Sequence, residues 1–434
     1  MLWFQPIECS LRITPRCLCF VLNPALLFCL QRSAFCYRVL PIARFLLYNG
    51  CAAASTLVIK NAGSLACRVS QEIMIPDSEV AVESVQSRLG VEEIGNFLAY
   101  AARIFEQKPF RPHSVFTNGH AQTLVAYAWP RAFRWQSRID EERLFEVAPG
   151  AKILVHCRWH AKPSEHPTIV VWHGIEGSSS SVYMLAMAHK GFRAGFNIIR
   201  VNLRNCGGTD HLTPTLYHGG LTEDLRAVVT ELIERDRLPR LYLVGFSLGG
   251  NLVLKLAGEY GDETPKEVRT VCAVSPSIDL NATADAINLR SNWLYHRDFL
   301  RRLRKRIYIK QRLYPELYDI SEIRLVRTIR DFDERFTAVA HGFANADDYY
   351  YRAGAIRVIG TVRVPTIIIH AQDDPFIPFA PLRSPLVVAN PYILLLAPER
   401  GGHCGFVAAE VDNEDRFWAE NRVVEFCKLA NDAL

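Results

Sequence analysis

Apolar residues occur along the chain in short continuous runs that alternate with segments of helical periodicity. The runs rich in Val, Ile and Leu predict strands at 144–147, 153–159, 169–172, 197–202, 241–246, 271–275, 364–370 and 392–396. Helices are predicted between them near 181–194, 221–236 and 250–259. Runs without polar alternation suit strands that are buried on both faces. The pattern therefore predicts an α/β fold with a mostly parallel eight-stranded sheet flanked by helices.

Domain organisation follows from where this alternation starts and where it is interrupted. The core is assigned to 141–276 and 356–434, and a helical N-terminal arm, with helical spacing over 78–107, to 76–140. Residues 277–355 are helix-rich and break the order of strands, which predicts a helical cap over the site. Residues 1–75 show no clear amphipathic period and are predicted to be an unstructured or targeting-like extension.

This extension allows three interpretations. Its charge-free stretch at 17–31 follows two arginines, as in a targeting segment, but is shorter than the roughly 20 apolar residues of a membrane span. Translation through a misplaced start is the first interpretation, and a targeting segment and a weak membrane anchor are the alternatives. The five cysteines beyond residue 67 are scattered and fit free thiols in a reducing compartment. We therefore expect a cytoplasmic protein, with targeting or membrane association through the extension as the alternative.

The most informative motif is Gly-x-Ser-x-Gly at residues 245–249, between a predicted strand and a predicted helix. This context is that of a nucleophile elbow, in which a sharp turn presents the serine hydroxyl above the edge of the sheet. Gly245 and Gly249 leave room for the strand and the helix to approach. Ser247 is therefore the candidate nucleophile.

The partners of such a serine follow it in the order acid, then histidine. Asp373 and Asp374 follow the predicted strand at 364–370, at the strand end where ligands collect in open α/β sheets. Asp374 is preferred because Pro378 follows it four residues later, and Asp373 remains the alternative. His403 lies between glycines after the last predicted strand and is the candidate base.

Backbone amides at two strand ends are candidates for an oxyanion hole. The strand at 169–172 ends in His173–Gly174, so Ile175 is expected to supply one N–H and Leu248, after the nucleophile, the other. Substrate contacts are assigned to four positions, for which bracing of the turns is the competing interpretation: His173, Gly174, Arg204 and His218.

Six short motifs extend this pattern beyond the elbow. They are found at 109–112, 118–123, 173–178, 202–208, 347–350 and 373–375. With these motifs the chain resembles the AB-hydrolase 4 family, the YheT-like members of the α/β-hydrolase superfamily, over about residues 109–430. The resemblance implies a serine hydrolase of the carboxylesterase or lipid-esterase type, with Ser247, Asp374 and His403 as its charge-relay residues. Asn205 and Ala121 depart from the residues common in the family, and neither belongs to this triad.

The distribution of charge along the chain bears on whether it binds nucleic acid. The formal net charge is +5, but residues 1–70 hold seven basic residues and one acidic residue, and the remainder holds 43 basic and 44 acidic residues. The body of the chain therefore does not suggest nucleic-acid binding. We expect a small-molecule ester as substrate, no cofactor and no metal. Membrane association is expected only through residues 1–70 or the cap, and the sequence does not predict an oligomeric state.

Within the predicted cap, a basic run at 301–306 is interpreted as a solvated helix face, with a docking surface for anionic lipid headgroups as the alternative. The predicted chemistry is acyl transfer from an ester of short or medium chain length, or from a monoacylglycerol-like lipid, to water through an acyl-enzyme. Two alternatives remain open. One is an acyltransferase that passes the acyl group to an alcohol, and the other is a catalytically silent binding protein on the same fold.

Overall fold

A computed structural model describes residues 90–131, 139–410 and 413–434. The predicted extension at 1–75 lies outside these residues, as does the part of the predicted arm before residue 90.

An eight-stranded sheet forms the centre of the fold. Its strands are β1 (Glu141–Ala148), β2 (Ala151–Arg158), β3 (Thr168–Trp172), β4 (Asn197–Val201), β5 (Leu241–Phe246), β6 (Val268–Val274), β7 (Thr366–Ile369) and β8 (Ile393–Leu396). The spatial order is β1-β2-β4-β3-β5-β6-β7-β8, with β2 antiparallel to both of its neighbours and all other pairs parallel. The predicted mostly parallel sheet is confirmed.

Burial along the strands explains this arrangement. Every residue of β3, β4 and β5 is buried, because helices cover both faces of the sheet there. Strand β1 instead alternates, with Phe145 and Val147 buried and Leu144 and Glu146 exposed. This alternation is typical of an antiparallel strand with one solvated face, which is how β1 pairs with β2 at the edge of the sheet.

Twelve α-helices are found in the described part of the chain. They are α1 (Val91–Glu106), α2 (Gly119–Ala128), α3 (Val182–Arg193), α4 (Thr222–Glu234), α5 (Leu248–Tyr260), α6 (Leu280–Ile287), α7 (Trp293–Leu313), α8 (Ile329–Phe332), α9 (Ala338–His341), α10 (Ala346–Ala353), α11 (Pro385–Val388) and α12 (Trp418–Ala433). A π-helical turn, Asp333–Thr337, joins α8 to α9. Short 3₁₀ turns lie at Pro163–Glu165, Gly261–Glu263, Arg290–Asn292, Ser321–Leu325, Ala355–Arg357, Ile359–Thr361 and Ala380–Arg383. Of the helices described, none is both long and apolar enough to cross a membrane.

The segment between β6 and β7, where the helical cap was predicted, contains α6 to α10, and we call this segment the cap. Many of its apolar side chains, among them Leu300, Ile307 and Phe332, form a second hydrophobic cluster, whereas Leu280 and Tyr349 pack in the core of the sheet. Phe376 and Ile377, from the loop after β7, belong to the cap cluster. The cap therefore packs on a loop at the carboxyl end of the sheet.

The described part of the arm forms two helices. Helix α1 packs on α12, with the rings of Phe97 and Phe426 5.3 Å apart. Helix α2 begins after Asn118, whose side chain accepts the N–H of Ala121 at 2.9 Å. The motif at 118–123 is therefore a helix start whose cap is its own asparagine.

Candidate active site

Ser247 occupies a strained turn between β5 and α5. Its backbone has φ 55° and ψ −117°, a region that non-glycine residues rarely adopt. The flanking glycines make the turn possible. A Cβ on Gly245 would lie 2.1 Å from the carbonyl oxygen of Gly249, and one on Gly249 would lie 2.5 Å from that of Trp172. The sequence pattern thus corresponds to a real elbow, with the serine at the N-terminus of a helix.

His403 and Asp374 are in direct contact. The imidazole Nδ1 of His403 donates to Oδ2 of Asp374 at 2.8 Å. The other carboxylate oxygen of Asp374 accepts the N–H groups of Phe376 and Ile377 at 2.9 and 3.0 Å. The aspartate side chain is fully buried, and 12% of the histidine side chain is exposed. These bonds fix the carboxylate, and the carboxylate fixes the orientation of the imidazole.

The two groups stabilise each other's charged forms. Burial acts against the imidazolium, but the Asp374 carboxylate raises the pKa of His403 well above 6.5. Burial also acts against the carboxylate, but the charge and hydrogen bond of His403 lower the pKa of Asp374. An imidazolium is the state that His403 reaches when it accepts a proton, so this pair suits a general base.

Asp373, the alternative acid, contacts a different group. Its Oδ1 accepts the backbone N–H of Gly402 at 2.8 Å. Burial raises the pKa of Asp373, because the charged form is partly desolvated. The structure therefore brings Asp374 to the imidazole and Asp373 to the backbone of the loop that carries it.

The two predicted oxyanion donors border the cavity that Ser247 lines. Neighbouring amides are already occupied, since the N–H of Gly174 donates to Tyr183 and that of Glu176 to Tyr217. Within the described residues, the N–H groups of Ile175 and Leu248 donate to no other protein group. Two unpaired amides beside the serine are what a developing oxyanion requires.

Gly174 is close to the nucleophile but is a spacer rather than a wall of the cavity. A Cβ at this position would lie 2.9 Å from Cβ and 3.3 Å from Oγ of Ser247. Any larger residue would therefore press on the serine side chain.

The substrate contact assigned to His173 is wrong. The side chain is completely buried, its Nδ1 donates to the carbonyl of Gly174 at 2.7 Å, and its Nε2 accepts the N–H of Leu203 at 3.1 Å. Burial lowers the pKa of His173 to about 4, so the ring is neutral. His173 joins the turns after β3 and β4 and has no free nitrogen for a substrate.

The substrate contact assigned to Arg204 is also wrong. Its guanidinium binds Asp224 through two nitrogens, one at 2.7 Å, and both side chains are buried. A third nitrogen donates to Thr215 at 2.6 Å. The paired N–H donors with which an arginine could bind a ligand are here occupied by the carboxylate of Asp224. Sequence position alone did not reveal this partner on α4.

His218, by contrast, lines the cavity. Its ring packs edge-on against His341 at 4.3 Å and Phe343 at 5.4 Å, and its Nδ1 accepts the N–H of Gly220 at 3.1 Å. Burial and the neighbouring imidazole hold the pKa of His218 well below 6.5. The ring of His218 that borders the cavity is therefore neutral.

Most of the cavity wall comes from the cap and is apolar. Ser247 and His403 lie in this wall together with leucine, isoleucine and phenylalanine side chains. The apolar members from the cap include Leu280, Ala284, Ile287, Phe299, Leu303 and Phe332. The sequence did not single out these residues, because a helical period shows which residues share a face but not which face meets a cavity.

The ring of Phe376 lies 4.5 Å from that of His403 and also borders the cavity. It directly follows the Asp-Asp-Pro motif, and this position was the only sequence signal that could have indicated it. Within the ranges that the structure describes, no group of three or more His, Cys, Asp or Glu side chains could hold a metal ion.

Comparisons with known proteins agree with this architecture. A family model described as alpha/beta hydrolase fold matches residues 167–384. The chain is 31% identical over 324 residues to the protein YheT of Escherichia coli (strain K12), which covers 73% of this chain and 92% of that protein. It is 33% identical over 280 residues to a monoacylglycerol lipase of Saccharomyces cerevisiae, covering 62% of this chain and 60% of the lipase.

A third relative is the phospholipase ABHD3 of Mus musculus, 27% identical over 364 residues, with 76% of this chain and 88% of the relative covered. The chain therefore belongs to the α/β-hydrolase fold family, in its AB-hydrolase 4 group of YheT-like members.

Proposed function

We propose that this chain hydrolyses carboxylic esters, and that Ser247, His403 and Asp374 carry out the reaction. The observation that carries the proposal is the 2.8 Å contact between His403 and a fully buried Asp374, in a cavity that also presents the strained Ser247. Relatives named as a lipase and a phospholipase support ester hydrolysis in general.

The reaction has two halves. His403 removes the hydroxyl proton of Ser247 as the oxygen attacks the ester carbonyl, and the tetrahedral oxyanion is held by the N–H groups of Ile175 and Leu248. The intermediate collapses, the C–O bond to the alcohol breaks, and His403 returns its proton to the departing alcohol. Water then repeats the sequence on the acyl-enzyme, which releases the acid and regenerates the serine.

Asp374 acts through His403 and does not itself take up the proton. Its carboxylate holds Nδ1–H, so that Nε2 carries the lone pair required of the base. The same carboxylate stabilises the imidazolium in each half-reaction, consistent with the raised pKa of His403.

The cavity favours an apolar acyl group. Leucine, isoleucine and phenylalanine make up 11 of the 23 residues in its wall, with Leu280, Ile287 and Leu303 from the cap among them. Each methylene of the acyl group that such a wall removes from water makes the free energy of binding more favourable. We therefore propose short- and medium-chain acyl esters or monoacylglycerol-like lipids as the substrate class.

A series of p-nitrophenyl esters of increasing acyl length, together with monoacylglycerols, tests this proposal. We expect kcat/KM to rise about fourfold per added methylene until the cavity is filled, because each buried methylene contributes about 0.8 kcal/mol. Adding an alcohol and measuring the new ester separates hydrolysis from acyl transfer. No turnover of any ester would contradict the proposed function, and a kcat/KM that falls with every methylene added to acetyl would contradict the proposed binding of the acyl chain to the apolar wall.

A cavity-filling variant provides the matched test. Ala284 is buried and lines the cavity, so Ala284→Phe should reduce kcat/KM for octanoyl esters while acetyl esters keep theirs. As control, Val339→Phe changes a side chain that is 73% exposed and should alter neither value. Equal losses on both esters in Ala284→Phe would show that the residue does not contact the acyl chain.

A further inference from the structure

The loop that carries His403 has an unusual backbone. Within residues 401–406, four residues have positive φ: Gly401 at 149°, Gly402 at 61°, Cys404 at 50° and Phe406 at 47°. Two of these are not glycines, and such conformations persist only where surrounding contacts impose them. The position of the imidazole therefore depends on what holds this loop.

Three consecutive amides of the loop are held by side-chain oxygens from three different parts of the fold. The N–H of Gly402 donates to Asp373 Oδ1 at 2.8 Å, that of His403 to Thr123 Oγ1 at 2.8 Å, and that of Cys404 to Ser275 Oγ at 3.0 Å. Asp373 follows β7, Ser275 follows β6 and Thr123 belongs to α2 of the arm. No regular secondary structure pairs these amides, so the side chains take that role.

Helix α2 contacts the loop closely at several points. A Cβ on Gly402 would lie 2.3 Å from the carbonyl oxygen of Gly119, so the two backbones touch. The hydroxyl of Thr123 donates to this same carbonyl at 2.7 Å while it accepts from His403. Gln122 is completely buried, and its side chain accepts the N–H of Val407 at 2.7 Å and donates to its carbonyl at 3.1 Å.

We infer that the arm helix is part of the catalytic apparatus: Thr123, with Asp373 and Ser275, positions the His403 loop for general-base catalysis. We name these three residues the loop clamp. The inference rests on the proposed role of His403, and it gives a function to the motif at 118–123, which lies outside the α/β core. Asn118 starts the helix, Gly119 permits the close approach, and Thr123 supplies the acceptor.

Thr123→Val tests the clamp, because valine keeps the shape of threonine and removes the acceptor oxygen. We expect kcat to fall about 10- to 100-fold, since small displacements of a catalytic group have effects of this size, while KM stays unchanged. Thr123→Ser restores the oxygen and should restore kcat. The measurement is steady-state kinetics on the best ester, together with the melting temperature of each variant.

Thr361→Val is the matched control. Its hydroxyl lies 2.6 Å from the carbonyl oxygen of Gly258 and 2.7 Å from that of Val358, at the end of α5 opposite to the elbow. Like Thr123→Val, this variant removes a hydroxyl with two backbone partners, but away from the site. Its melting temperature should equal that of Thr123→Val. Its kcat should equal that of the wild type. An unchanged kcat in Thr123→Val, an equal loss in the control, or no rescue by serine would overturn the inference.

Asp373 gives a second, independent variant. Asp373→Asn keeps an acceptor oxygen for Gly402 and should keep most of the activity, whereas Asp373→Ala should lower kcat with unchanged KM. Equal losses in both variants would show that the carboxylate charge matters instead, and would reject a clamp role for this residue. Turnover by the wild type tests the proposed function separately from either outcome.

A second and independent observation concerns the outer face of α7 in the cap. The helix carries Arg or Lys at eight of its 21 positions and one acidic residue. Two of the basic residues point inward, since Arg306 pairs with Glu176 at 2.9 Å and Lys310 donates to the carbonyl of Asp210 at 2.9 Å. The predicted solvated face therefore does not include Arg306.

The remaining face is exposed and combines positive charge with aromatic rings. At 100° per residue its six members fall within an arc of about 120°. They are Trp293, Arg297, Arg301, Lys305, Tyr308 and Arg312, all exposed to solvent. Trp293 is 47% and Tyr308 45% exposed. Of the four charges, Arg301 has a partner, Asp298, at 2.7 Å.

We propose that this face docks on the surface of an anionic lipid bilayer. Basic residues are attracted to anionic headgroups, and tryptophan and tyrosine favour the interface between headgroups and acyl chains. The docked cap would lie between the bilayer and the apolar cavity, which agrees with a lipid-like ester as substrate. Docking itself does not require that substrate class.

Sedimentation with vesicles of non-hydrolysable ether lipids measures docking without catalysis. We expect binding to vesicles that contain ether phosphatidylglycerol, weak binding to ether phosphatidylcholine alone, and release at high salt. The triple variant Arg297→Glu, Lys305→Glu, Arg312→Glu should lose at least about 100-fold in affinity, because each basic residue near such a surface contributes about fivefold.

The matched control reverses three exposed lysines outside the cap, Lys152, Lys266 and Lys428. It should bind as the wild type does. Equal binding to neutral and anionic vesicles, no binding to either, or an equal loss in the control would overturn the docking proposal.

Discussion

Replacing Ser247 by alanine is expected to lower kcat for ester hydrolysis about a million-fold, the scale of loss when a serine hydrolase loses its nucleophile. Without Oγ no acyl-enzyme forms, and what remains comes from the oxyanion donors and from binding. The fold should persist, because the strained turn is set by Gly245 and Gly249 rather than by the hydroxyl. The measurement is turnover of the best ester, with the melting temperature as the control for folding.

Retention of a sizeable share of wild-type turnover by Ser247→Ala would contradict the mechanism. A large loss together with a lowered melting temperature would instead indicate damage to the elbow. In that case Ser247→Cys, which restores a nucleophilic atom at the same position, decides whether the missing atom or the turn is responsible.

Asp374→Asn is expected to lower kcat about ten-thousand-fold, because an amide can hold the imidazole in the wrong tautomer and cannot stabilise the imidazolium. It should also change the dependence on pH. In the wild type the carboxylate raises the pKa of His403 well above 6.5, and catalysis needs the neutral ring. Activity should therefore rise with pH through a midpoint above 6.5 and be lost as the pH falls below it.

In the variant, burial still lowers the pKa of His403 and Cys404 still raises it, but the charge of Asp374 no longer does, so the pKa falls below its wild-type value. The acid limb of kcat/KM should move to lower pH even as the maximum falls. The pH profiles of both proteins measure this shift. An acid limb that stays in place would show that Asp374 does not set the protonation of His403.

Asp373→Asn is the control for this prediction, since it removes the charge of the neighbouring carboxylate and keeps an oxygen for Gly402. Its acid limb should stay close to that of the wild type. If Asp373→Asn rather than Asp374→Asn produced the large loss, the roles of the two aspartates would be reversed.

Local patterns predicted the parts of the protein that depend on local chemistry. Continuous apolar runs gave the buried parallel strands, because burial on both faces excludes polar alternation. The spacing around Ser247 indicated the elbow, since a Cβ on Gly245 would lie 2.1 Å from the carbonyl oxygen of Gly249 and only glycine avoids this clash. The proline after Asp374 favoured this carboxylate, and the structure places it on the imidazole.

Long-range pairing was not predictable from one sequence. His173 and Arg204 follow strand ends, where ligands often bind, but the direction of each side chain depends on partners elsewhere in the chain. Arg204 binds Asp224 on α4, and His173 joins two turns. No spacing rule indicated these contacts, so the two substrate assignments were wrong.

The loop clamp also depends on contacts between residues that are far apart in the sequence. Thr123 and His403 are 280 positions apart, and their hydrogen bond exists because α2 packs on the loop after β8. The sequence motif at 118–123 was visible, but only the fold shows that it faces the base. The apolar wall of the cap is a similar case, because its residues have a helical period that fits either side of the cap.

Covalent labelling with a fluorophosphonate, followed by mass spectrometry of the peptides, tests the central claim most directly. Such a reagent reacts with a serine that is activated by a base and faces free oxyanion donors. We predict a single adduct on Ser247 in the wild type, none in Ser247→Ala, and slow labelling in Asp374→Asn. An adduct on another residue, or no adduct on a folded wild-type protein, would contradict the assignment of Ser247 as the nucleophile.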